Sequence, residues 1–359
     1  MKHFPLKAHW VRWVAAVTTY AALGALVPPA HAVTLSCGDT VGPGATVVLD
    51  ADIGACAGAG TAALTVIGPV TFDMAGHELR CAAINPADGM HVIGEHARIT
   101  NGAVRACGYG VLVEGGGRHT LSGVTANANL GRGIDVTSDR NTLTRCSATS
   151  NNGEGLRIAS ARNRIDHCVA TNDTVGLVLD GEGNRLVESE AVANTGAGFQ
   201  IDGNTNQVSR CAATSNDQAG FSVGGDDNKV RENHATRNTQ QGFEVSGDHN
   251  SLAQNIAARN ASHGFALGAT SDTQLDSNLA VSNGGQGIDV TGSDNSVTRN
   301  HAINSALSGI QFTGGGSGNV FDENTAMQSS NNDVKDTTAC AGATWTDNSF
   351  GSSNDPCIQ

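Results

Sequence analysis

Aromatic residues are scarce in this sequence. Phe, Trp and Tyr make up 4% of the 359 residues, whereas Gly occurs 46 times. An ordinary globular core is built from larger side chains, so this composition excludes one. It would suit a disordered chain unless a regular repeat supplied the packing.

Basic residues are also few. Lys and Arg number 21 against 34 Asp and Glu, which gives a formal net charge of −13. Beyond the N-terminal segment the only lysines are Lys229 and Lys335. Nucleic acids and anionic lipids attract clustered Lys and Arg, so we expect no nucleic-acid partner.

A long apolar run occurs only near the N-terminus. Basic residues lie in 2–12, an apolar stretch follows at 13–27, and 30–32 read Ala-His-Ala, the pattern of a signal peptidase site. We predict that residues 1–32 are a signal peptide cleaved near Ala32 and that the protein is secreted or periplasmic. No later run reaches the roughly 18 apolar residues of a membrane span, so we expect no membrane insertion of the mature chain.

One glycine recurs at intervals of 21 to 23 residues. After each glycine, apolar and polar residues alternate, as in Gly242 to Val245, which is typical of a strand with one buried face. Two further short strands complete each repeat. Equivalent strands of successive repeats should then lie about 4.8 Å apart, with like residues stacked on like. The glycines of this series are Gly110, Gly133, Gly155, Gly176, Gly198, Gly220, Gly242, Gly264, Gly287 and Gly309.

Asn recurs in phase with the glycine in three columns, which we place at the corners of the repeat. Asn tolerates the left-handed corner conformation, and its side-chain amide can bond to the repeats above and below. The pattern therefore predicts asparagine ladders. The third column reads Asn151, Asn172, Asn194, Asn216, Asn238, Asn260, Asn283 and Asn304.

The repeat resembles the right-handed parallel β-helix of the pectin lyase-like superfamily. Residues 72–79 (Phe-Asp-Met-Ala-Gly-His-Glu-Leu) are similar to a segment common near the start of such repeats. The resemblance implies an all-β, right-handed, single-stranded parallel β-helix of about 10–12 coils of ~22 residues, with three short strands per coil. We assign the helix to residues 65–332, an N-terminal cap to 33–64 and a C-terminal cap to 333–359.

Each cap contains a cysteine pair, Cys37 with Cys56 and Cys340 with Cys357. In an oxidising compartment both pairs should be disulfides that staple the ends of the solenoid. We also expect Trp345, inside the C-terminal loop, to plug the last coil.

Four of the five remaining cysteines could form two more bridges between neighbouring coils, Cys146 with Cys168 and Cys81 with Cys107. The total of nine is odd, so at least one thiol must stay free. We expect Cys211 to be this thiol, as a buried small residue rather than a catalytic nucleophile.

In this superfamily, substrates usually lie across the outer face of the first strand of each coil. The resemblance therefore makes Asp135 and Arg157 candidate catalytic residues and Asp180, Gln200 and Asp202 candidate substrate-binding residues. An arginine beside carboxylates can orient a sugar or assist proton abstraction. The alternative is a solvated face of mixed charge.

A second candidate catalytic group, Glu244, His263 and Asp289, comes from consecutive coils. Two carboxylates flanking a histidine could perform acid–base hydrolysis. The direction of His263 is open, because it precedes the glycine.

No metal site or cofactor is predicted. The sequence has no His-x-x-His or Cys-x-x-Cys spacing, and calcium on the acidic turns is left open. After the leader, Tyr109 is the single tyrosine, so the sequence identifies no exposed aromatic platform for sugars.

Two functions fit these observations. One is a monomeric, exported β-helix that binds or processes a polysaccharide or cell-envelope glycan, as a lyase, hydrolase or epimerase if it is an enzyme. The other is a non-enzymatic surface scaffold or adhesin, which the regular coils and lack of catalytic motifs favour.

Overall fold

The structure, a computed structural model, describes residues 31–314 and 316–358. The predicted signal peptide lies mostly outside them, and its cleavage stays a prediction. The first strand, His31–Val33, spans the predicted cut. The described part of the chain contains no helix long and apolar enough to cross a membrane.

The described chain winds as a β-solenoid of 41 strands in which every pairing between named strands is parallel. Each coil contributes strands to three faces. One sheet of 14 strands forms the first face, and a sheet of 27 strands covers the second and third faces. The predicted fold class is confirmed.

The first face consists of Asp39–Val41, Ala62–Ile67, Asp88–Ile93, Val111–Val113, Ile134–Val136, Leu156–Ile158, Leu177–Leu179, Phe199–Ile201, Phe221–Val223, Phe243–Val245, Phe265–Ser271, Ile288–Ser293, Ile310–Phe312 and Val334–Asp336.

The second face consists of His31–Val33, Thr46–Leu49, Val70–Asp73, Ala97–Arg105, Thr120–Asn127, Thr142–Thr144, Arg164–Asp166, Arg185–Val187, Gln207–Ser209, Lys229–Arg231, Ser251–Ala253, Gln274–Asp276, Ser296–Thr298, Asn319–Asp322 and Ala343–Thr346. Its two long strands, Ala97–Arg105 and Thr120–Asn127, continue onto the third face.

The third face otherwise consists of Ile53–Cys56, Glu78–Cys81, Ser147–Thr149, Val169–Thr171, Glu190–Val192, Ala212–Thr214, His234–Thr236, Ile256–Ala258, Leu279–Val281, His301–Ile303, Thr325–Met327 and Ser349–Phe350.

The 14 rungs of the first face exceed the predicted 10 to 12 coils. The terminal coils escape the glycine count because their spacing differs. Asp39 pairs with Leu64 and Leu64 with Met90, intervals of 25 and 26 residues. Strands 39–41, 46–49 and 53–56, inside the predicted N-terminal cap, already stack on the next coil.

The core is a set of stacked apolar columns inside the solenoid. The four consecutive phenylalanines Phe199, Phe221, Phe243 and Phe265 are fully buried, with ring centroids 4.7 to 4.8 Å apart. This spacing follows from that between parallel strands, so each ring packs on its counterpart one coil away.

The recurring glycine is required by close packing. A Cβ atom on Gly220 would lie 2.7 Å from Nδ2 of Asn238, 2.8 Å from Cβ of Ala235 and 2.8 Å from the carbonyl oxygen of Gly242. The glycine therefore lets the ladder amide and the small third-face residue of the next coil approach the first strand.

The asparagine ladders are present and buried. Oδ1 of Asn238 accepts bonds from the backbone N–H and the side-chain amide of Asn216, both at 3.0 Å, and its own amide donates to Asn260 and to the carbonyl of Ala213. The left-handed corner conformation belongs to the residue before the ladder position, here Arg237 with φ of 56°. The expectation that the asparagine itself adopts it is wrong.

Two members of the predicted third column are also wrong. Asn172 and Asn304 are exposed left-handed corner residues, and the ladder positions are filled by the buried Asp173 and Ser305. Oδ1 of Asp173 accepts the backbone N–H of Asn151 at 2.7 Å, as an asparagine would. In both coils an asparagine directly precedes the residue that occupies the ladder.

Three disulfides lie near the ends of the solenoid. Cys37–Cys56 and Cys340–Cys357 form as predicted, and Cys81–Cys107 joins two early coils. Near the C-terminus, the Trp345 ring stacks on Phe321 with centroids 4.0 Å apart.

Cys146, Cys168 and Cys211 are buried free thiols. The alternative of a Cys146–Cys168 disulfide is therefore wrong for this structure. Each of these two sulfurs lies near a carbonyl oxygen of the preceding coil instead, Cys146 near Leu121 at 3.7 Å and Cys168 near Leu143 at 3.8 Å. Burial raises the pKa of Cys211 to about 12, which leaves no thiolate for nucleophilic attack near neutral pH.

Candidate functional site

The outer row of the first face has the order predicted from the repeat. Asp135, Arg157, Val178 and Gln200 occupy the same position on four adjacent rungs. Their neighbours before and after in the strand point inward and are buried. The alternation of the strand therefore places Asp135 and Arg157 side by side on the outside.

Arg157 connects two of the predicted residues. Its Nε donates to Oδ2 of Asp180 at 2.6 Å, and its Nη1 lies 3.5 Å from Oδ1 of Asp135. The Asp135 side chain is only 8% exposed although it lies on an outer row. Its Oδ1 accepts no hydrogen bond from the described residues.

Two residues that sequence reasoning missed complete this network. Nη1 of Arg132 lies 3.0 Å from Oδ2 of Asp135, and its Nε lies 2.8 Å from Oε2 of Glu154. Burial alone would lower the pKa of Arg132, but the bond with Glu154 and the charge of Asp135 outweigh it and raise the pKa. Burial would likewise raise the pKa of Glu154, but its own backbone N–H and Arg132 lower it. Both groups are therefore charged at neutral pH.

Tyr109 precedes Arg132 in the same row. The backbone bond from Gly110 to Arg132 sets the two residues on adjacent rungs, and the Tyr109 side chain is among the exposed large hydrophobic residues at 45% exposure. Its ring lies against Gly131, where an added Cβ would approach Cε1 to 2.9 Å. An accessible aromatic ring therefore borders the charged network.

These three residues share a position that the sequence does reveal, the residue immediately before the repeating glycine. On ten successive coils the row reads Tyr109, Arg132, Glu154, Val175, Ala197, Ala219, Gln241, His263, Gln286 and Ser308. Its first three members are large and polar or aromatic, and they coincide with the coils of Asp135 and Arg157.

The other two predicted binding residues lie at the adjoining corner. Nε2 of Gln200 donates to Oδ2 of Asp202 at 2.6 Å. Asp180 and Asp202 line a shallow hollow of about 380 Å³ whose other walls are glycines and small polar residues. The hollow continues the polar surface from the Arg157 network toward the second face.

The second predicted group is only partly assembled. Asp289 lies two rungs from Glu244, with Ala266 between them. Nδ1 of His263 accepts the backbone N–H of Gln286 at 3.1 Å, so this histidine lies along the outer row and its charge acts on Asp289. Burial raises the pKa of Asp289, while His263 acts in the opposite direction.

One group elsewhere has metal-ligand composition. Nδ1 of His167 lies 2.6 Å from Asp166, and its Nε2 lies 2.9 Å from Glu188. Arg164 pairs with this aspartate and Arg210 with this glutamate, so the carboxylates are already neutralised. Their arrangement favours an ion-pair network over a cation site.

The fold and this row of outer residues define a solenoid with a charged and aromatic first face. The chain belongs to the right-handed β-helix family, because the model of the family described as "Right handed beta helix region" matches residues 71–191 and 175–326. No curated protein matches the sequence significantly.

Solved structures support the same fold. The periplasmic alginate epimerase AlgG is similar over 81% of this chain and 77% of that chain, with a TM-score of 0.55 and 12% identity. The A-module of a mannuronan C-5 epimerase from Azotobacter vinelandii covers 91% of this chain and 92% of that chain, with a TM-score of 0.47 and 12% identity. A phage tailspike protein, Dettilon gp208, covers 81% and 60%, with a TM-score of 0.40 and 15% identity. At these identities the likeness shows the fold alone.

Proposed function

We propose that the protein binds an extended polysaccharide along its first face, with the strongest contacts around Tyr109, Arg132 and Arg157. The observation that carries this proposal is the half-exposed Tyr109 ring beside a buried carboxylate–arginine network. Sugars are bound by this combination, because a ring stacks on the C–H face of a pyranose while charged groups bond to its hydroxyls.

The geometry of the face suits a linear polymer. Equivalent residues repeat at the strand spacing of about 4.8 Å, which is close to the length of one sugar unit in an extended chain. Arg157 is held by Asp135 and Asp180, so little side-chain freedom is lost on binding. The alginate epimerase named among the similar structures acts on a polymer of this class, which supports the assignment.

Binding to a panel of neutral and acidic polysaccharides tests the proposal. We expect Tyr109→Ala and Arg132→Gln each to weaken binding of the recognised glycan by roughly tenfold, the effect of about 1.4 kcal/mol of lost contacts. Leu307→Ala is a matched control, because this exposed apolar residue lies about eight coils away. Equal affinities for all four proteins, measured by isothermal titration calorimetry, would exclude a site at Tyr109.

Processing of the bound chain is a second candidate function, and the state of Asp289 favours it. Burial raises the pKa of this carboxyl group, and a carboxyl that stays protonated can act as a general acid. Glu244 lies two rungs away, a spacing of about 10 Å that leaves room for a sugar and a water molecule.

The purified protein should be incubated with uronic-acid and neutral polysaccharides, with and without calcium. New reducing ends would indicate hydrolysis, ultraviolet absorbance an unsaturated lyase product, and proton NMR an epimerised uronate. We expect Asp289→Asn and Glu244→Gln to abolish turnover and Tyr109→Ala to weaken substrate binding. Binding without any product would instead assign the protein as a non-enzymatic scaffold or adhesin.

We place this function in the periplasm or outside the cell. The three disulfides near the ends of the solenoid support an oxidising compartment. Sequencing the N-terminus of the exported protein tests the predicted cleavage near Ala32.

A further inference from the structure

The second face carries a cationic patch that contrasts with the acidic chain. Arg185, Gln207 and Lys229 occupy the same outward position on three adjacent rungs, and all three side chains are exposed. Arg210 and Arg231 flank them. Four cations thus gather on one surface of a protein whose formal net charge is −13.

Two of these cations are already paired. Arg210 lies 2.8 Å from Glu188, and Arg231 lies 2.5 Å from Glu232. By contrast, Arg185 and Lys229 form no ion pair within the described residues, and Arg185 only donates to Gln207 at 3.4 Å. The patch therefore retains positive charge after its own carboxylates are counted.

The patch is concave. A groove of about 320 Å³ opens between the side chains of Arg185, Lys229 and Arg231, with the short Ser209 among its lining residues. On this row the unpaired cations Arg185 and Lys229 lie two rungs apart, about 10 Å. Gln207, between them, offers an amide to a hydroxyl group.

We propose that this groove is a second glycan site, specific for an acidic chain that carries uronate carboxylates. The Arg185 guanidinium can hold one carboxylate by two parallel bonds, and Lys229 can pair with another charged group further along the chain. The site does not depend on the first face, which lies around the corner and has its arginines bound to carboxylates.

The occupant is a sparsely charged polymer. The two unpaired cations match a chain with one carboxylate per sugar or fewer. Nucleic acid has a far higher charge density, and the acidic remainder of this protein would repel it beyond the short patch.

Calorimetry with an oligogalacturonate and a neutral oligosaccharide of equal length tests the site. We expect the double variant Arg185→Gln, Lys229→Gln to lose roughly tenfold or more in affinity for the oligogalacturonate, because two charge-assisted contacts disappear. Binding should also weaken in about 1 M NaCl, where charges are screened beyond about 3 Å.

The double variant Arg237→Gln, Arg259→Gln is the matched control. It changes the net charge equally at two exposed corner arginines elsewhere, and its affinity should stay within about twofold of wild type. Tyr109→Ala should leave this binding intact, which separates the site from the first face. Equal losses in the two double variants, or tighter binding of duplex DNA or of a sulfated oligosaccharide than of the uronate, would overturn the proposal.

Discussion

Asp173 occupies a ladder position that asparagine fills in the coils on either side. Its Oδ1 accepts two bonds from Asn151, while its Oδ2 is buried and accepts no hydrogen bond from the described residues. Burial raises the pKa of Asp173 to about 6, because the ionised form loses its hydration. A carboxylate at this point is therefore a weak place in the core at neutral pH.

The Asp173→Asn variant should be more stable than wild type at pH 8. The folded pKa lies above the unfolded value of 3.8, so the folded state holds the proton more tightly and wild-type stability falls as pH rises from about 4 to 6. We expect the variant to gain about 2 kcal/mol at pH 8 and almost nothing at pH 4. Urea unfolding at both pH values measures this.

Asp217→Asn is the control, since this side chain is exposed. It should change the free energy of unfolding little at either pH. A gain for Asp173→Asn that is the same at pH 4 and pH 8 would contradict ionisation as its cause.

At the scale of the element, each ladder residue holds two neighbouring coils together. Asn238 satisfies the backbone N–H of Asn216 and the carbonyl of Ala213, both out of reach of water. Removing its side chain would leave those groups without partners.

We expect Asn238→Ala to destabilise the protein by about 2 to 4 kcal/mol, the cost of leaving two buried backbone groups unsatisfied. Asn172→Ala should cost about 1 kcal/mol at most, because this asparagine is exposed and only its left-handed conformation favours it over alanine. Chemical denaturation of both variants compares them. Equal costs would mean that Asn172 contributes to the ladder after all.

Over the whole molecule, stability is distributed along the axis, because each coil contacts only its neighbours. The terminal coils have a neighbour on one side and are the ones closed by disulfides, at Cys37–Cys56 and Cys340–Cys357. Trp345, stacked on Phe321 near the C-terminal end, reports on that end alone, as it is the single tryptophan after the predicted leader.

Replacing Cys340 and Cys357 with Ser should let the C-terminal coils unfold first. We expect Trp345 fluorescence to change at lower denaturant than the circular dichroism of the sheets, with a local loss of about 2 to 4 kcal/mol. Replacing Cys37 and Cys56 with Ser should leave the Trp345 transition in place. If both double variants shift it equally, the solenoid unfolds in one step.

Periodicity made the architecture predictable. A side chain that recurs every 21 to 23 residues must stack on its counterpart, so the glycines, the apolar columns and most ladder residues could be read from spacing alone. The same logic placed Asp135 and Arg157 on one outer row, and the structure shows them there.

Only the three-dimensional structure decided what departs from the period. Spacing could not choose between Asn172 and Asp173, since adjacent positions differ in direction by a corner that only the backbone determines. It also left the row before the glycine without a direction, and so missed Tyr109 and Arg132. Long-range contacts between coils select these details, because burial and ion pairing depend on what the next coil presents, whereas the repeat itself follows from local chain chemistry.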